Sequence, residues 1–347
     1  MVLVYIFFAV LAFGLIIFIH ELGHFLTARA CGVGVNEFAI GMGPKIFSRI
    51  SKKTGIRYSI RALPIGGFVS MVGEDEESDA DNAFGNAAIW KRMIIIVSGA
   101  AMNFVLGFII ILIMVLSVKY LPLNVVAEFK PGAASAESGL MVNDEIVKVG
   151  NRNIYTGYEL SYEIMNQGYE PVDIVVIRNN EKIVLKDVVF STFEESGATF
   201  GDVDFTPYGV KKNLGNVMLH TFVRAVTTVR MVWDSLSDMV SGRYGIEAVS
   251  GPVGITETIV DIAATDTNRA INILHICSVI TINLGVVNLL PFPALDGGRF
   301  VFMLIEAIRK KPIKKEVEGY IHFVGILLLF AFMIVISLKD IWSIFTR

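Results

Sequence analysis

The sequence is short of cysteine, of charge and of any basic leader. Its 347 residues include two cysteines, Cys31 and Cys277, and neither lies in a CxxC pattern. This excludes a disulfide framework and a thiolate metal site, and leaves both as packing residues. Charged side chains make up 18% of the chain and the net charge is −3, so no basic excess points to nucleic acid. The N-terminus has no basic n-region and no small-residue cleavage site. Its apolar run reads as a retained span rather than a removed signal peptide. What the chain has in quantity is apolar surface: 54% of residues are hydrophobic and the mean hydropathy is +0.61. A soluble globule with a polar surface cannot carry that excess, so the expected class is a polytopic membrane protein.

Four apolar segments, about residues 2–27, 93–117, 271–290 and 321–338, approach the ~20 residues needed to cross a bilayer. The connection after the first span carries Arg29, Lys45, Arg49, Lys52, Lys53, Arg57, Arg61, Lys91 and Arg92. The connection after the third carries Arg299, Arg309, Lys310, Lys311, Lys314 and Lys315. Both are expected to be cytoplasmic, with the termini and the long stretch between spans two and three outside. The acidic run Glu74-Asp75-Glu76-Glu77 does not change this orientation.

The chemistry concentrates in His20-Glu21-Leu22-Gly23-His24, an HExxH sequence inside the first span. On a helix the two histidines lie about 6 Å apart along the axis and on one face, so both imidazoles can reach one ion. Glu21 stands beside them, free to act on the metal-bound water of a metalloprotease. From Val2 to Phe18 the only ionisable side chain is the Tyr5 hydroxyl. Polar groups arriving after such a run, at membrane depth, default to a functional reading. The competing reading is a helix ending at the interface with His and Glu reaching headgroups.

A hydrolytic zinc site takes three protein ligands and keeps one open position. Asp296, Glu306, Glu318 and His322 are the candidates at the right depth, and Asp296 is preferred. It lies in Asn288-Leu-Leu-Pro-Phe-Pro-Ala-Leu-Asp-Gly-Gly298, where Pro291 and Pro293 stop the helix. Unwound chain inside a membrane is tolerated only where it lines a cavity or packs in protein. Gly297 and Gly298 allow a close backbone approach. Glu306 and Glu318 read as partners of nearby lysines, and His322 as supporting or interfacial. His20 and Asn288 fall at matching depths, ~27 and ~25 Å along their helices from the outer side. In the second span, Ser98-Gly99-Ala100-Ala101 reads as close helix packing, and a buried Asn103 needs a partner.

Gly55 to Met71 reads as two short strands turning near Leu63-Pro64. Either this hairpin dips toward the site and offers its edge, with Gly66, Gly67 and Phe68, to an extended substrate, or it lies flat on the membrane. Residues 120–190 read as a soluble module. Glu145–Val149 alternates as a strand, Tyr158–Met165 is helical, and Asp173–Arg178 with Lys182–Lys186 makes a hairpin around Asn179-Asn180. With Pro131–Leu140 this resembles a PDZ domain, which takes extended peptides or chain ends. Residues 191–213 read as linker, residues 214–240 as an interfacial amphipathic helix, and Ser250–Ile255 as a turn.

The expected organisation is a first span to residue 28, a cytoplasmic loop with a membrane-associated hairpin (29–92) and a second span (93–117). A PDZ-like domain (118–190) and a linker with the amphipathic helix (191–270) follow. A third span (271–298), a cytoplasmic loop (299–320) and a fourth span with the C-terminus (321–347) complete it. The fold class is thus a polytopic α-helical membrane protein of about four spans with a small β-rich, extracytoplasmic PDZ-like domain.

The HExxH of His20–His24 and the NxxPxPxLDG of Asn288–Gly297 together resemble the site-2 protease family of intramembrane zinc metalloproteases. Gly41-Met-Gly-Pro44, Gly66-Gly-Phe-Val69 and a PDZ-like module between spans two and three are similar to its bacterial, regulator-of-sigma-E-protease-like branch. The chain carries one such module where some members carry two. The resemblance implies Zn2+ on His20, His24 and Asp296, Glu21 as catalytic carboxylate, and Asn288 near the substrate backbone. It implies a multi-pass protein of the bacterial cytoplasmic membrane, acting on single-span substrates such as anti-sigma factors or remnant signal peptides. Two other classes compete. A non-catalytic scaffold would close its metal with a fourth protein ligand; a metal transporter would repeat ionisable residues through several spans, and spans two and four are nearly devoid of them.

Overall fold

The computed structural model describes residues 2–74, 78–195, 197–243, 245, 249–265 and 268–346. The chain divides into two compact units, Met1–Ile109 with Ser250–Arg347, and Ile110–Val249. The first unit opens with α1 (Val2–Ala30), whose first charged residue is Glu21. Gly32, at φ +80°, follows its end, a left-handed position that terminates helices at low cost when glycine fills it.

β1 (Val35–Ile50) and β2 (Arg57–Met71) come next and pair with each other. The expected reversal near Leu63-Pro64 is present, since Arg57–Ile60 and Gly67–Ser70 run in opposite directions, but each segment pairs with β1 and not with the other, which corrects the expected hairpin. Glu37–Ile40 has partners in both Gly67–Ser70 and Arg57–Ile60, so each long strand bends and is used twice. Glycines make the bends. Gly41 and Gly66 sit at φ +84° and +89°, and a Cβ on Gly41 would fall 2.4 Å from the Leu63 carbonyl oxygen. Proline marks turns in a sequence, and here β2 reverses between Ile60 and Gly67, with Gly66 left-handed just after Pro64.

Phe38 fixes this sheet to α1. Its ring stacks on Phe25 at 4.8 Å and lies 5.7 Å from Phe18. Val33, Val35, Ile56 and Met71 join the same buried cluster with Ile95 of α2 (Ile89–Ser117). Each such side chain removed from water contributes roughly 1.5–3 kcal/mol. Inside the sheet, the buried Glu37 accepts from the Ser59 hydroxyl (2.6 Å), Lys45 Nζ (3.0 Å) and Arg61 Nη2 (2.9 Å).

The second unit contains β3 (Tyr120–Phe129), α3 (Ala134–Glu137), β4 (Glu145–Val149), β5 (Arg152–Asn153), α4 (Gly157–Gln167), β6 (Val172–Arg178) and β7 (Glu181–Val188). β8 (Ser191–Glu195), β9 (Ala198–Asp202), β10 (Phe205–Lys211) and α5 (Leu214–Ser241) complete it. The main sheet runs β10-β3-β4-β6-β7, with β5 on β4. Asn179 and Asn180, at φ 53° and 66°, make the tight β6–β7 turn, as two left-handed residues do between twisted strands. Ile146, Val149, Leu160, Ile164, Ile174, Val176 and Phe205 form its core.

The expected linker 191–213 is therefore corrected. It forms the β8–β9 hairpin and the edge strand β10, whose Phe205 is buried in that core. Short polar strands with glycine carry too little periodicity to stand out from loop. The amphipathic helix α5 docks its charges on α4: Arg230 pairs with Glu159 and Glu163, and Tyr162 donates to Asp234.

The chain returns to the first unit through α6 (Pro252–Thr265), α7 (Arg269–Asn288), α8 (Asp296–Arg309) and α9 (Lys315–Thr346). The expected turn at 250–255 instead starts α6, with proline at the first helical position, where its missing N–H costs nothing. Asp340 of α9 accepts from Gly251 N and Gly254 N at that helix start. Half of the expected loop 299–320, residues 299–309, lies in α8, and α9 takes it up again from Lys315. Four helices among the described residues are long and apolar enough to cross a membrane: Val10–Ala30, Ile89–Ser117, Arg269–Asn288 and Glu316–Ser343.

Burial alone would raise the Glu37 carboxyl. The Ser59 hydroxyl, Lys45 and Arg61 overcome it and hold the group down to about 2 from 4.5. A depressed carboxylate stabilises the fold above its unfolded value, and that stability is lost as pH falls through the folded one. Exchange protection of Glu37–Ile40, corrected for intrinsic rates, should thus decline as pH drops below about 4.5 toward about 2. Glu37→Gln should start less protected and show no such decline.

Candidate metal centre

α1 places His20 and His24 one turn apart on the same face, and both are buried. Their Nε2 atoms are 3.2 Å apart. The third corner comes from the other end of the sequence. α7 stops at Asn288, the chain runs unwound over 289–295, and α8 begins at Asp296. Asp296 Oδ2 lies 3.1 Å from His20 Nε2 and 3.3 Å from His24 Nε2. Gly297 and Gly298 permit this fold-back: a Cβ on either would fall 2.2 Å from Leu290 O or 2.4 Å from Phe292 O.

α2 makes room for the imidazoles. A Cβ on Gly99 would sit 2.3 Å from His24 Nε2, and one on Gly23 of α1 would sit 2.3 Å from Ser98 O. The small residues at 98–101 thus serve close packing, as expected, and also clear the site, which their spacing did not reveal. α2 also holds the outer ring nitrogens. His24 Nδ1 lies 2.8 Å from the Ile95 carbonyl, so that nitrogen carries the proton and Nε2 presents a lone pair.

His20 Nδ1 lies 3.2 Å from the side-chain amide of the fully buried Asn103. With Nδ2 facing the ring, Asn103 Oδ1 is left buried without a hydrogen-bond partner. With the amide turned over, Oδ1 accepts from His20 Nδ1–H and His20 Nε2 also faces inward as a lone pair, while Nδ2 takes the place Oδ1 had. Asn103 is the neighbour of His20 that sequence reasoning left without a partner; its signal was one amide in a span otherwise rich in apolar residues.

Three lone-pair atoms then face one point, with Asp296 Oδ2 buried and without a hydrogen bond. A tetrahedral Zn2+ with ~2.0–2.1 Å bonds needs ligand atoms roughly 3.3 Å apart. Two imidazole nitrogens and a carboxylate at 3.1–3.3 Å fit that ion.

Glu21 stands outside this triangle and against β2. A Cβ on Gly67 would lie 3.3 Å from Glu21 Cγ. Of the other predicted contacts, Gly66 and Gly67 are buried, while Phe68 is half-buried beneath Arg61 at 4.7 Å. Asn288 is half-buried at the end of α7. The remaining ligand candidates lie elsewhere. Glu306 takes a two-pronged contact from Arg92 on α2 rather than from a lysine. His322 accepts from Ala294 N, and Glu318 lies 3.8 Å from His322 Nε2.

Paired imidazoles and a carboxylate placed to hold one ion, with a further carboxylate alongside, are the side chains a metallopeptidase-type centre requires. The profile of peptidase family M50 matches residues 8–332. A Fusobacterium nucleatum protein named "Putative zinc metalloprotease" is 34% identical over 97% of this chain and 98% of its own length. A Clostridium acetobutylicum protein of the same description is 35% identical over 96% of each. The regulator of sigma-W protease RasP of Bacillus subtilis is 29% identical over 97% of this chain and 98% of its own. The chain belongs to peptidase family M50, the site-2 protease family. It is a zinc-dependent metalloendopeptidase, and its apolar helices make it a membrane protein.

Asn103→Leu removes the acceptor for His20 and should weaken zinc retention against a competing chelator ~10–100-fold, as loss of an outer hydrogen bond does in metal sites. Gly99→Ala should empty the site, read as zinc per chain in the purified protein.

Proposed function

We propose that the chain hydrolyses peptide bonds in or next to the transmembrane helix of single-span membrane proteins. In this reading His20, His24 and Asp296 hold Zn2+ and Glu21 is the catalytic carboxylate. The observation that carries it is the convergence of His20 Nε2, His24 Nε2 and Asp296 Oδ2 at 3.1–3.3 Å, with both histidines on a helix of membrane-spanning length and Asp296 just past the end of another. Bound Zn2+ supplies Lewis acidity toward water and toward the scissile carbonyl.

The chain's own residues do the rest. Glu21 accepts a proton from the attacking water and passes it to the leaving amine. A helical substrate hides its carbonyls in its own hydrogen bonds and must unwind before attack. Residues Gly66-Gly67-Phe68, on the stretch of β2 that passes Glu21, hold the unwound segment by strand pairing. Glycine at 67 keeps that stretch close to both neighbours, since a Cβ there would fall 2.9 Å from Ala39 O and 3.3 Å from Glu21 Cγ. Asn288 offers its amide to the substrate backbone.

The lysine and arginine excess of the connections after spans one and three supports a cytoplasmic position for the site. The β-rich unit would then lie outside the cytoplasm, in the bacterial inner membrane's outer compartment. As a PDZ-like module it would take an extended peptide or chain end. Anti-sigma factors and remnant signal peptides are the substrate classes that fit, and the sigma-W role in the name of the Bacillus subtilis relative favours the first.

Glu21→Gln keeps the shape of the side chain and removes the proton acceptor. It should abolish cleavage and leave zinc content near wild type. Comparative membrane proteomics should then show single-span fragments accumulating in cells carrying that variant. Cleavage persisting in Glu21→Gln would remove Glu21 from this role.

A further inference from the structure

We propose that His322 and Gly325 of α9 form the seat that holds the unwound segment 289–295, and that His322 is thereby a positioning residue for the metal centre. This rests on the reading of Asp296 as a metal ligand. Pro291 and Pro293 have no N–H to donate, and the segment leaves the helical hydrogen-bond ladder between α7 and α8. Ala294 adopts φ +81°, a left-handed conformation that a residue with a Cβ rarely takes unless its surroundings impose it. Non-helical backbone at membrane depth persists only where protein satisfies and packs it. Here α9 does both.

The Ala294 N–H donates to His322 Nδ1 at 2.8 Å, two residues before Asp296. An acceptor at Nδ1 fixes the neutral ring with its proton on Nε2, the nitrogen 3.8 Å from Glu318 Oε1. Phe302 of α8 meets the ring near edge-on at 5.4 Å. Gly325, three residues further on the same face of α9, lets the helix touch the preceding residue. A Cβ there would fall 2.5 Å from Pro293 O and 2.6 Å from Pro293 Cβ. Two successive residues of the segment are thus held by one face of one helix. The fourth span, which contributes no ligand to the triangle, acts on the metal through the backbone that carries Asp296.

The test measures zinc affinity of the full chain in lipid nanodiscs, by competition with a chromophoric chelator. Wild type, His322→Phe, His322→Asn, Gly325→Ala and Asp296→Ala are compared at matched helical content. His322→Phe keeps a ring and loses the acceptor, and should bind zinc ~10–100-fold more weakly, the range for an outer-sphere partner. His322→Asn restores an acceptor near the Nδ1 position and should stay close to wild type. Gly325→Ala should weaken zinc as the phenylalanine variant does, and decides the matter should His322→Phe not fold. Wild-type affinity in both His322→Phe and Gly325→Ala, with loss in Asp296→Ala, would overturn the seat alone. Equal loss in His322→Phe and His322→Asn would also overturn it. Wild-type affinity in Asp296→Ala would instead overturn the ligand reading beneath it.

Discussion

Two imidazole nitrogens and a carboxylate oxygen, each buried and each presenting lone pairs, face one point within 3.1–3.3 Å of one another. Such an arrangement is unfavourable by itself, because desolvated acceptors gain nothing from one another. A divalent cation reverses the sign. The surrounding structure reads as the means of bringing those atoms together: α1 supplies two of them at fixed spacing, and the break between α7 and α8 supplies the third. Through the Ile95 carbonyl and Asn103, α2 orients both rings so that the correct nitrogens face inward. Outer partners of this kind decide ligand tautomer and orientation as much as the ligands themselves do.

The same helix that carries the histidines also anchors the bent sheet. Phe18 and Phe25 flank the motif and pack on Phe38. The strand carrying Gly67 and Val69 is thereby brought beside Glu21 without depending on a loop. Sites held by packed regular elements keep their geometry better than sites on mobile segments. Charge pairs reinforce the frame around α8: Arg92 of α2 meets Glu306, and Arg299 meets Glu74 at the end of β2.

The parts legible in the sequence were those with fixed spacing or a strong composition signal. HExxH in an apolar run, the proline-rich break before Asp296, four long apolar helices and the Asn179-Asn180 hairpin all announce themselves locally. What stayed hidden depends on distant contacts. β1 was missed because its strand character lies in pairing with residues 57–71 on both sides. β10 looked like linker because Phe205 earns its place only from a core built by residues far upstream. Asn103 and Gly99 gave a hint of packing, yet their relation to His20 and His24 exists only once α1 and α2 cross.

X-ray absorption at the zinc edge of the purified chain tests the central claim most directly. The account predicts one zinc per chain with a nitrogen and oxygen first shell, multiple scattering from two imidazoles, and loss of one imidazole contribution in His24→Ala. A sulfur-containing shell, or a spectrum unchanged by His24→Ala, would contradict it.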